Sequence, residues 1–169
     1  MKLIGFILIV FSSVVCGFNY TETKKNRLEE LASFSFMLEL MVAELNTSLP
    51  TLPELIKKLE TKLDNKALCF VKVLSLNLAM LGEKDFNSIW CNSLSGCDAD
   101  LTEQEYDSIA SLGSILGKYD VETQGKALNE CLVQFRASEH KLKEELPQLK
   151  RLSLGVSMSA GAILAIMLV

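Results

Sequence analysis

The chain has 169 residues, of which 22% are charged and 49% hydrophobic, and a formal net charge of −4 at pH 7. This composition excludes a disordered chain, a collagen-like chain and a small disulfide scaffold. Its mean hydropathy is nevertheless positive, at +0.27. The apolar excess lies at the two ends, because residues 3–21 and 152–169 contain no charged residue whereas the middle of the chain carries every charge except Lys2.

Each uncharged end is long enough to cross a lipid bilayer as a helix. About 18 residues span about 27 Å, which is close to the thickness of the hydrocarbon layer. We therefore predict an N-terminal transmembrane anchor over residues 1–21, a helical domain over 22–151 and a C-terminal transmembrane anchor over 152–169. A cleaved signal peptide is the alternative for the first segment, but residues 17–20 (GFNY) offer no cleavage site of the small-x-small type.

Charge and cysteine content predict the orientation of these segments. Both are flanked on the inner side by basic residues: Lys24, Lys25, Arg27, Lys141, Lys143, Lys150 and Arg151. The positive-inside rule then places the middle domain in the cytoplasm and both termini across the cell membrane. Five cysteines in no paired spacing suit a reducing compartment, and we expect most of them to be buried as small hydrophobic residues. The basic residues indicate contact with anionic lipid head groups, and nucleic-acid binding is not expected.

The middle segment has the pattern of a helical protein. It is rich in leucine, and no run alternates apolar and polar residues over the length of a strand. We predict a first helix over residues 22–46, which the chain leaves before Pro50. Thr51-x-x-Glu54 is a capping-box pattern, so it predicts the start of a second helix that ends near Leu63.

The rest of the middle segment predicts the remaining helices. Residues 67–81 are nearly all apolar but too few to span a membrane, which predicts a central helix buried on most faces. Another helix follows over residues 85–94, and a second capping box at residues 102–105 opens a helix that stops at Gly117. Asp120 is a suitable N-cap for the last helix. The predicted fold is all-α: a compact cytoplasmic bundle of about six helices, whose first and last helices lie antiparallel and run into the transmembrane anchors.

The sequence offers no constellation of residues for catalysis. The single histidine, His140, lies among charged residues of the last helix and is expected at the surface. Neither a glycine-rich phosphate loop nor a nucleophile elbow is present in the sequence. We therefore predict no catalytic, metal-binding or cofactor-binding residues, no cofactor and no small-molecule substrate. An enzyme such as a lipid-modifying hydrolase would need a reactive constellation that the sequence lacks.

The C-terminal anchor carries small residues at helical spacing. Small residues four positions apart let another membrane helix approach closely, and lipid-facing filler is the alternative. Two spans without an ionisable residue cannot line an ion path by themselves, so packing is favoured over transport. The candidate packing residues are Gly155, Ser157, Ser159, Gly161 and Ala165.

One segment is distinctive in its spacing: Leu112-Gly113-x-x-Leu116-Gly117-x-x-Asp120-x-x-x-Gln124. Together with the residues around the proline-rich break and the two apolar ends, it resembles the stage III sporulation protein AB family of endospore-forming bacteria. The likeness covers essentially the whole chain. It departs from the family pattern at Thr47, where the family often has a tyrosine. The residues of the domain that carry the likeness are Glu44, Trp90, Gly113, Gly117, Asp120 and Gln124.

The resemblance implies a fold and a role. The domain is expected to be similar to the cytoplasmic domain of type II secretion inner-membrane platform proteins. The family belongs to a complex in the mother-cell membrane around the forespore, which with forespore partners forms a secretion-like channel or feeding apparatus. The implied partners are a secretion-type ATPase, which would dock on the domain, other membrane proteins of the same complex, and the lipid bilayer. A scaffold that clusters membrane proteins without the ATPase is the alternative.

The motif residues can also be interpreted from physical chemistry alone. Gly117 suits the left-handed residue that ends a helix, Asp120 suits the cap of the next helix, and Gln124 can bond back toward the loop. Gly113 allows a neighbouring helix to approach closely. These residues either fix a corner between two helices or form a surface for a partner, and the sequence leaves both readings open.

Overall fold

The computed structural model describes the backbone of residues 2–64 and 66–168 and the side chains of residues 22–64 and 66–147. This part of the chain is helical, which confirms the predicted fold class, and its one β pairing is an isolated bridge between Leu81 and Lys84. The elements are α1 (Lys2–Ser48), α2 (Leu52–Lys62), α3 (Ala67–Asn77), a 3₁₀-helix (Leu78–Met80), α4 (Phe86–Ser95), α5 (Glu103–Ile115) and α6 (Val121–Leu168).

The chain divides into two compact units. The first unit comprises Met1–Leu28 and His140–Val169, and the second comprises Glu29–Glu139. In the first unit, His140 is exposed as expected, and its Nδ1 lies 3.6 Å from Oε1 of Glu144 one helical turn away.

The predicted transmembrane anchors, residues 1–21 and 152–169, lie outside the residues whose side chains are described. The same is true of their candidate packing residues Gly155, Ser157, Ser159, Gly161 and Ala165. Across residues 22–64 and 66–147, no helix is both long enough and apolar enough to cross a bilayer.

Aromatic side chains from four helices form the centre of the second unit. Phe34 of α1 lies between Phe70 of α3 and Phe135 of α6, with ring centroids 6.3 Å and 6.1 Å away. Phe70 also meets Trp90 of α4 edge to face at 4.9 Å, a favoured aromatic geometry. Phe86 packs against the same tryptophan at 5.8 Å. These rings bring α1, α3, α4 and α6 together around one apolar core.

Both predicted capping boxes are present where helices begin. The Glu54 carboxylate accepts a hydrogen bond from the Thr51 amide at 3.0 Å. At the start of α5, Glu105 accepts from the Thr102 amide at 2.8 Å, and its own amide donates to Thr102 Oγ1 at 3.3 Å. Because these bonds satisfy backbone donors that no helical turn can reach, they fix where α2 and α5 start.

The prediction that residues 67–81 form one helix buried on most faces is wrong. The α-helix ends at Asn77, and its buried residues form a single stripe at the spacing of one helix face, namely Ala67, Phe70, Val71 and Leu74. Leu76, on the other side of α3, is 77% exposed. An amphipathic helix packs against the core through a single apolar stripe. The additional apolar residues of this segment therefore remain at the surface.

The expectation that most cysteines are buried is also wrong for the residues described. Cys131 is buried, Cys91 and Cys97 are half-buried, and Cys69 is exposed. Cys69 precedes Phe70 on α3 and therefore points away from the stripe that meets the core. Cys16 lies outside the residues whose side chains are described.

Candidate functional site

Gly113 of α5 lies directly against side chains of α4. A Cβ atom at this position would lie 2.7 Å from Trp90 Cδ1 and 2.9 Å from Asn87 Oδ1. Trp90 itself is 1% exposed, and its indole Nε1 donates to the Ile109 carbonyl at 2.8 Å. The structure therefore brings Trp90 and Gly113 together, as a packing contact between two helices that no partner can reach.

The other three motif residues of this region form the corner between α5 and α6. Gly117 has a φ of +74°, a conformation that glycine adopts without strain. Asp120 caps α6, because its Oδ2 accepts from the Thr123 amide at 3.1 Å and its Oδ1 accepts from the Thr123 hydroxyl at 2.7 Å. Both bonds lower the pKa of Asp120, and the bond from the Thr123 hydroxyl has the larger effect. Gln124 reaches back, its Nε2 donating to the Tyr119 carbonyl at 2.6 Å.

Glu44 joins α1 to α2 through a cluster of charges. Its two carboxylate oxygens lie 2.7 Å from Lys58 Nζ and 2.5 Å from Lys62 Nζ, and its side chain is 13% exposed. The hydrogen bonds from Lys58 and then Lys62 lower the pKa of Glu44 to about 2. Glu44 therefore stays ionised at any physiological pH and holds α2 against α1.

A groove of about 370 Å³ separates the α1–α2 connection from the α5–α6 corner. Gly117 and Gln124 form part of its lining, and Leu49, Leu81 and Val121 supply large apolar side chains. We call it the corner groove. A Cβ atom at Gly117 would collide with the side chain of Leu52, a residue of α2 that also lines the groove. The absence of a side chain at Gly117 thus lets the start of α2 pack against the corner.

Part of the exposed apolar surface of this unit lines the corner groove. Leu49 is 63% exposed, Leu81 44% and Val121 39%, and Tyr119 beside the corner is 53% exposed. Leu49 also has a φ of +45°, a conformation that is rare for a residue with a side chain. A gathering of large apolar residues beside a fixed loop is typical of a protein–protein interaction site.

The family model described as stage III sporulation protein AB matches residues 2–169. The chain belongs to this family. A solved structure titled "Stage III sporulation protein AB" has the same fold, with a TM-score of 0.63 at 20% sequence identity over 72% of this chain and 97% of that chain. No curated protein matches the chain significantly. The resemblance noted in the sequence is thereby confirmed, as is the helical bundle, and the chain is a sporulation protein.

The six motif residues of this sporulation protein do not form one site. Gly117 and Gln124 line the corner groove, and Asp120 caps the helix that follows it. Trp90 and Gly113 lie in the interface between α4 and α5. Glu44 belongs to the ion-pair cluster between α1 and α2. Their proposed part in binding a partner remains a prediction for this family member.

Sequence reasoning missed the apolar side of the groove, which consists of Leu49, Leu81 and Val121. A signal was available, because these residues stand next to Pro50, Gly82 and Asp120 respectively. Large hydrophobic residues beside turn and cap residues have no place in a helical stripe, and a folded chain leaves such side chains exposed unless another segment covers them.

The described part of this sporulation protein holds no group of three or more His, Cys, Asp or Glu side chains placed to bind a metal ion. The chemistry of its corner groove is that of an apolar contact surface with one amide, Gln124, whose nitrogen is already bonded to the Tyr119 carbonyl.

Proposed function

We propose that this sporulation protein is a non-enzymatic, membrane-anchored platform on which a secretion-type ATPase docks. In this proposal it acts within a secretion-like channel complex between mother cell and forespore, together with other membrane proteins of that complex. Its domain faces the mother-cell cytoplasm, and the uncharged residues 1–21 and 152–169 are its transmembrane anchors.

The corner groove is the observation that carries the proposal. It consists of exposed apolar side chains held beside residues of the family motif, Gly117 and Gln124. The cap at Asp120 and the bond from Gln124 to the Tyr119 carbonyl fix the loop that presents this surface. A surface that is ordered before binding loses little conformational freedom on association, which favours its use as a docking site.

The rest of the described domain supports a binding role over a chemical one. The ionisable residues of the motif, Glu44 and Asp120, are both engaged in structural contacts, an ion-pair cluster and a helix cap. The ATPase is the partner implied by the family resemblance, and an apolar patch on that ATPase is the occupant we propose for the corner groove.

Binding of the full-length protein, purified in detergent, to the proposed secretion-type ATPase tests the proposal. Val121→Glu and Leu81→Glu place a charge on the apolar lining, and we expect each to weaken binding at least about tenfold, because a buried unpaired charge is costly at an interface. Val133→Glu is the matched control, since Val133 is 66% exposed on α6, three turns beyond the corner.

The possible results separate the competing ideas. If all three variants weaken binding to the ATPase equally, or if none of them weakens it, the corner groove is not the docking surface. If the parent protein fails to bind the ATPase but co-purifies with other membrane proteins of its complex, the platform proposal is wrong and a scaffold that acts without the ATPase is favoured.

A further inference from the structure

The outer side of α1 carries apolar residues that the core does not use. Phe34 packs in the core, whereas Phe36, two residues further along the helix, points to the opposite side and is 42% exposed. Further apolar residues follow at the spacing of this outer face and are half-buried or exposed, namely Ala32, Leu40 and Ala43. A helix section that is apolar on all sides is normally covered on all sides, so a partner is expected on this side of α1 as well.

The outer side of α6 continues this surface. Phe135 packs against Phe34 with ring centroids 6.1 Å apart, which places the two helices side by side. Val133, two residues before Phe135, points away from the core and is 66% exposed. Ala137, one turn beyond Val133, is exposed as well. We call the surface formed by both helices the α1–α6 face, and its apolar residues are Ala32, Phe36, Leu40, Ala43, Val133 and Ala137.

One ion pair bridges the two helices at this face. Oε1 of Glu39 accepts from Nε and Nη2 of Arg136 at 3.2 Å and 2.5 Å. The side chains of Glu39 and Arg136 are 40% and 59% exposed. Within the described part of the chain, Oε2 of Glu39 and Nη1 of Arg136 make no hydrogen bond. The pair therefore offers one acceptor and one donor to a partner that covers the face.

The positions of these two charges make the face complementary to itself. Glu39 and Arg136 contact each other, so they lie level along α1 and α6. A two-fold axis parallel to the helices keeps every residue at its level and sets α1 of each copy against α6 of the other. Glu39 then faces Arg136 of the second copy, and the reciprocal pair forms as well. A two-fold axis across the helices at this level would instead set Glu39 against Glu39.

We propose that two copies of this chain associate through the α1–α6 face, about a two-fold axis parallel to α1 and α6. Phe36 and Val133 form the apolar centre of the contact, and Glu39 and Arg136 of each copy pair with the opposite charge of the other. Aromatic residues and arginine are residue types that interfaces favour. The corner groove lies three turns from Val133 along α6, so the two surfaces are separate and the dimer needs no ATPase.

The oligomeric state of the full-length protein in detergent is the first test. Light scattering coupled to size exclusion measures the protein mass within the detergent complex, and we expect twice the chain mass of 18.7 kDa. Glu39→Arg and Arg136→Glu each set like charges against each other, so we expect either variant to weaken self-association at least about tenfold. Lys57→Glu is the matched control, because Lys57 is exposed on α2, outside the α1–α6 face.

A mixture of the two single variants shows whether the charges act between chains. Within each variant chain, positions 39 and 136 carry the same charge, and so does every facing pair in a dimer of that variant. Between the two different chains, every facing pair has opposite charges. We therefore expect a tagged Glu39→Arg chain to capture an untagged Arg136→Glu chain, although neither variant captures further copies of itself.

The double variant Glu39→Arg/Arg136→Glu keeps the test valid if the single variants fold poorly. It retains the ion pair within each chain, in reversed order. We expect it to form a dimer with itself as the parent does. It should not pair with the parent, because a mixed dimer would set arginine against arginine and glutamate against glutamate.

Three results would overturn the proposal. A parent protein that stays monomeric would leave the α1–α6 face to a different partner. Single variants that associate with themselves as tightly as the parent would assign the dimer to another surface, such as the predicted anchors. Free pairing of the double variant with the parent would show that Glu39 and Arg136 do not face each other across the contact.

Discussion

At the scale of single residues, Gly113 is a position where a side chain has little room. Gly113→Ala would place a methyl group 2.7 Å from the Trp90 ring, and Trp90 cannot move aside because it is 1% exposed. We expect the substitution to reduce the free energy of unfolding by about 1–3 kcal/mol, as overpacking of a core does. Urea unfolding followed by circular dichroism measures this change.

Gly125→Ala is the matched control for this substitution. Gly125 also lies within a helix, α6, but a Cβ atom there would meet nothing within 4 Å. We expect this variant to be more stable than the parent by about 0.5–1 kcal/mol, because alanine loses less backbone freedom in a helix than glycine does. A similar effect from both substitutions would show that α4 does not press against Gly113.

Asp120 gives a second prediction at this scale. Asp120→Ala removes the acceptor of the Thr123 amide at the start of α6, and we expect the melting temperature to fall by several degrees. Asp120→Asn keeps a side-chain oxygen for the same bond and should melt close to the parent. If the alanine variant melts like the parent, Asp120 does not stabilise the helix.

At the scale of elements, the contact between α1 and α2 depends on the ionised Glu44. The pKa of Glu44 is lowered from 4.5 to about 2 by hydrogen bonds from Lys58 and then Lys62. Because the folded pKa lies below the unfolded one, the stability from this contact is fully present above pH 4.5. It is lost as the pH falls from 4.5 toward 2.

Glu44→Gln tests this dependence. We expect the variant to melt below the parent at pH 6 and the difference between their melting temperatures to shrink as the pH is lowered to 2.5. A difference that stays constant over this range would mean that the charge of Glu44 does not carry the contact. Glu122→Gln is a suitable control, because Glu122 pairs with Lys126 on the exposed face of a single helix.

The elements themselves were largely predictable because their ends have local causes. Thr51 and Thr102 begin helices through capping boxes. Gly117, with its left-handed backbone, turns the chain between α5 and α6. Such signals act over a few residues and can therefore be recognised in the sequence. The face that a helix buries depends on its neighbours, and for this reason the exposure of Leu76 and Cys69 on α3 could not be read from hydropathy.

The corner groove could be predicted only in part. Gly117, Asp120 and Gln124 stand close in sequence, and their spacing indicated a corner between two helices. Leu49 and Leu81 lie in connections that are 30 or more residues away from this corner in sequence. They meet Val121 only once the bundle has formed. Convergence of distant segments is a property of the fold, so the pattern of each segment did not reveal it.

At the scale of the whole molecule, the proposed orientation predicts which side of the membrane Cys69 faces. Cys69 is exposed, so a maleimide that cannot cross membranes should label it in inside-out membrane vesicles and fail to do so in right-side-out vesicles. Cys131 is buried and should resist the reagent in both cases, which controls for unfolding. Labelling of Cys69 in right-side-out vesicles would place the domain on the opposite side of the membrane.

The position of Trp90 has an optical consequence. It is the single tryptophan of the chain, and its indole ring is packed between Phe70 and Phe86 with its nitrogen bonded to α5. Selectively excited tryptophan fluorescence therefore comes from one ring, which lies where α3, α4 and α5 meet. For the purified protein in detergent, a red shift of that emission reports separation of these helices without any label.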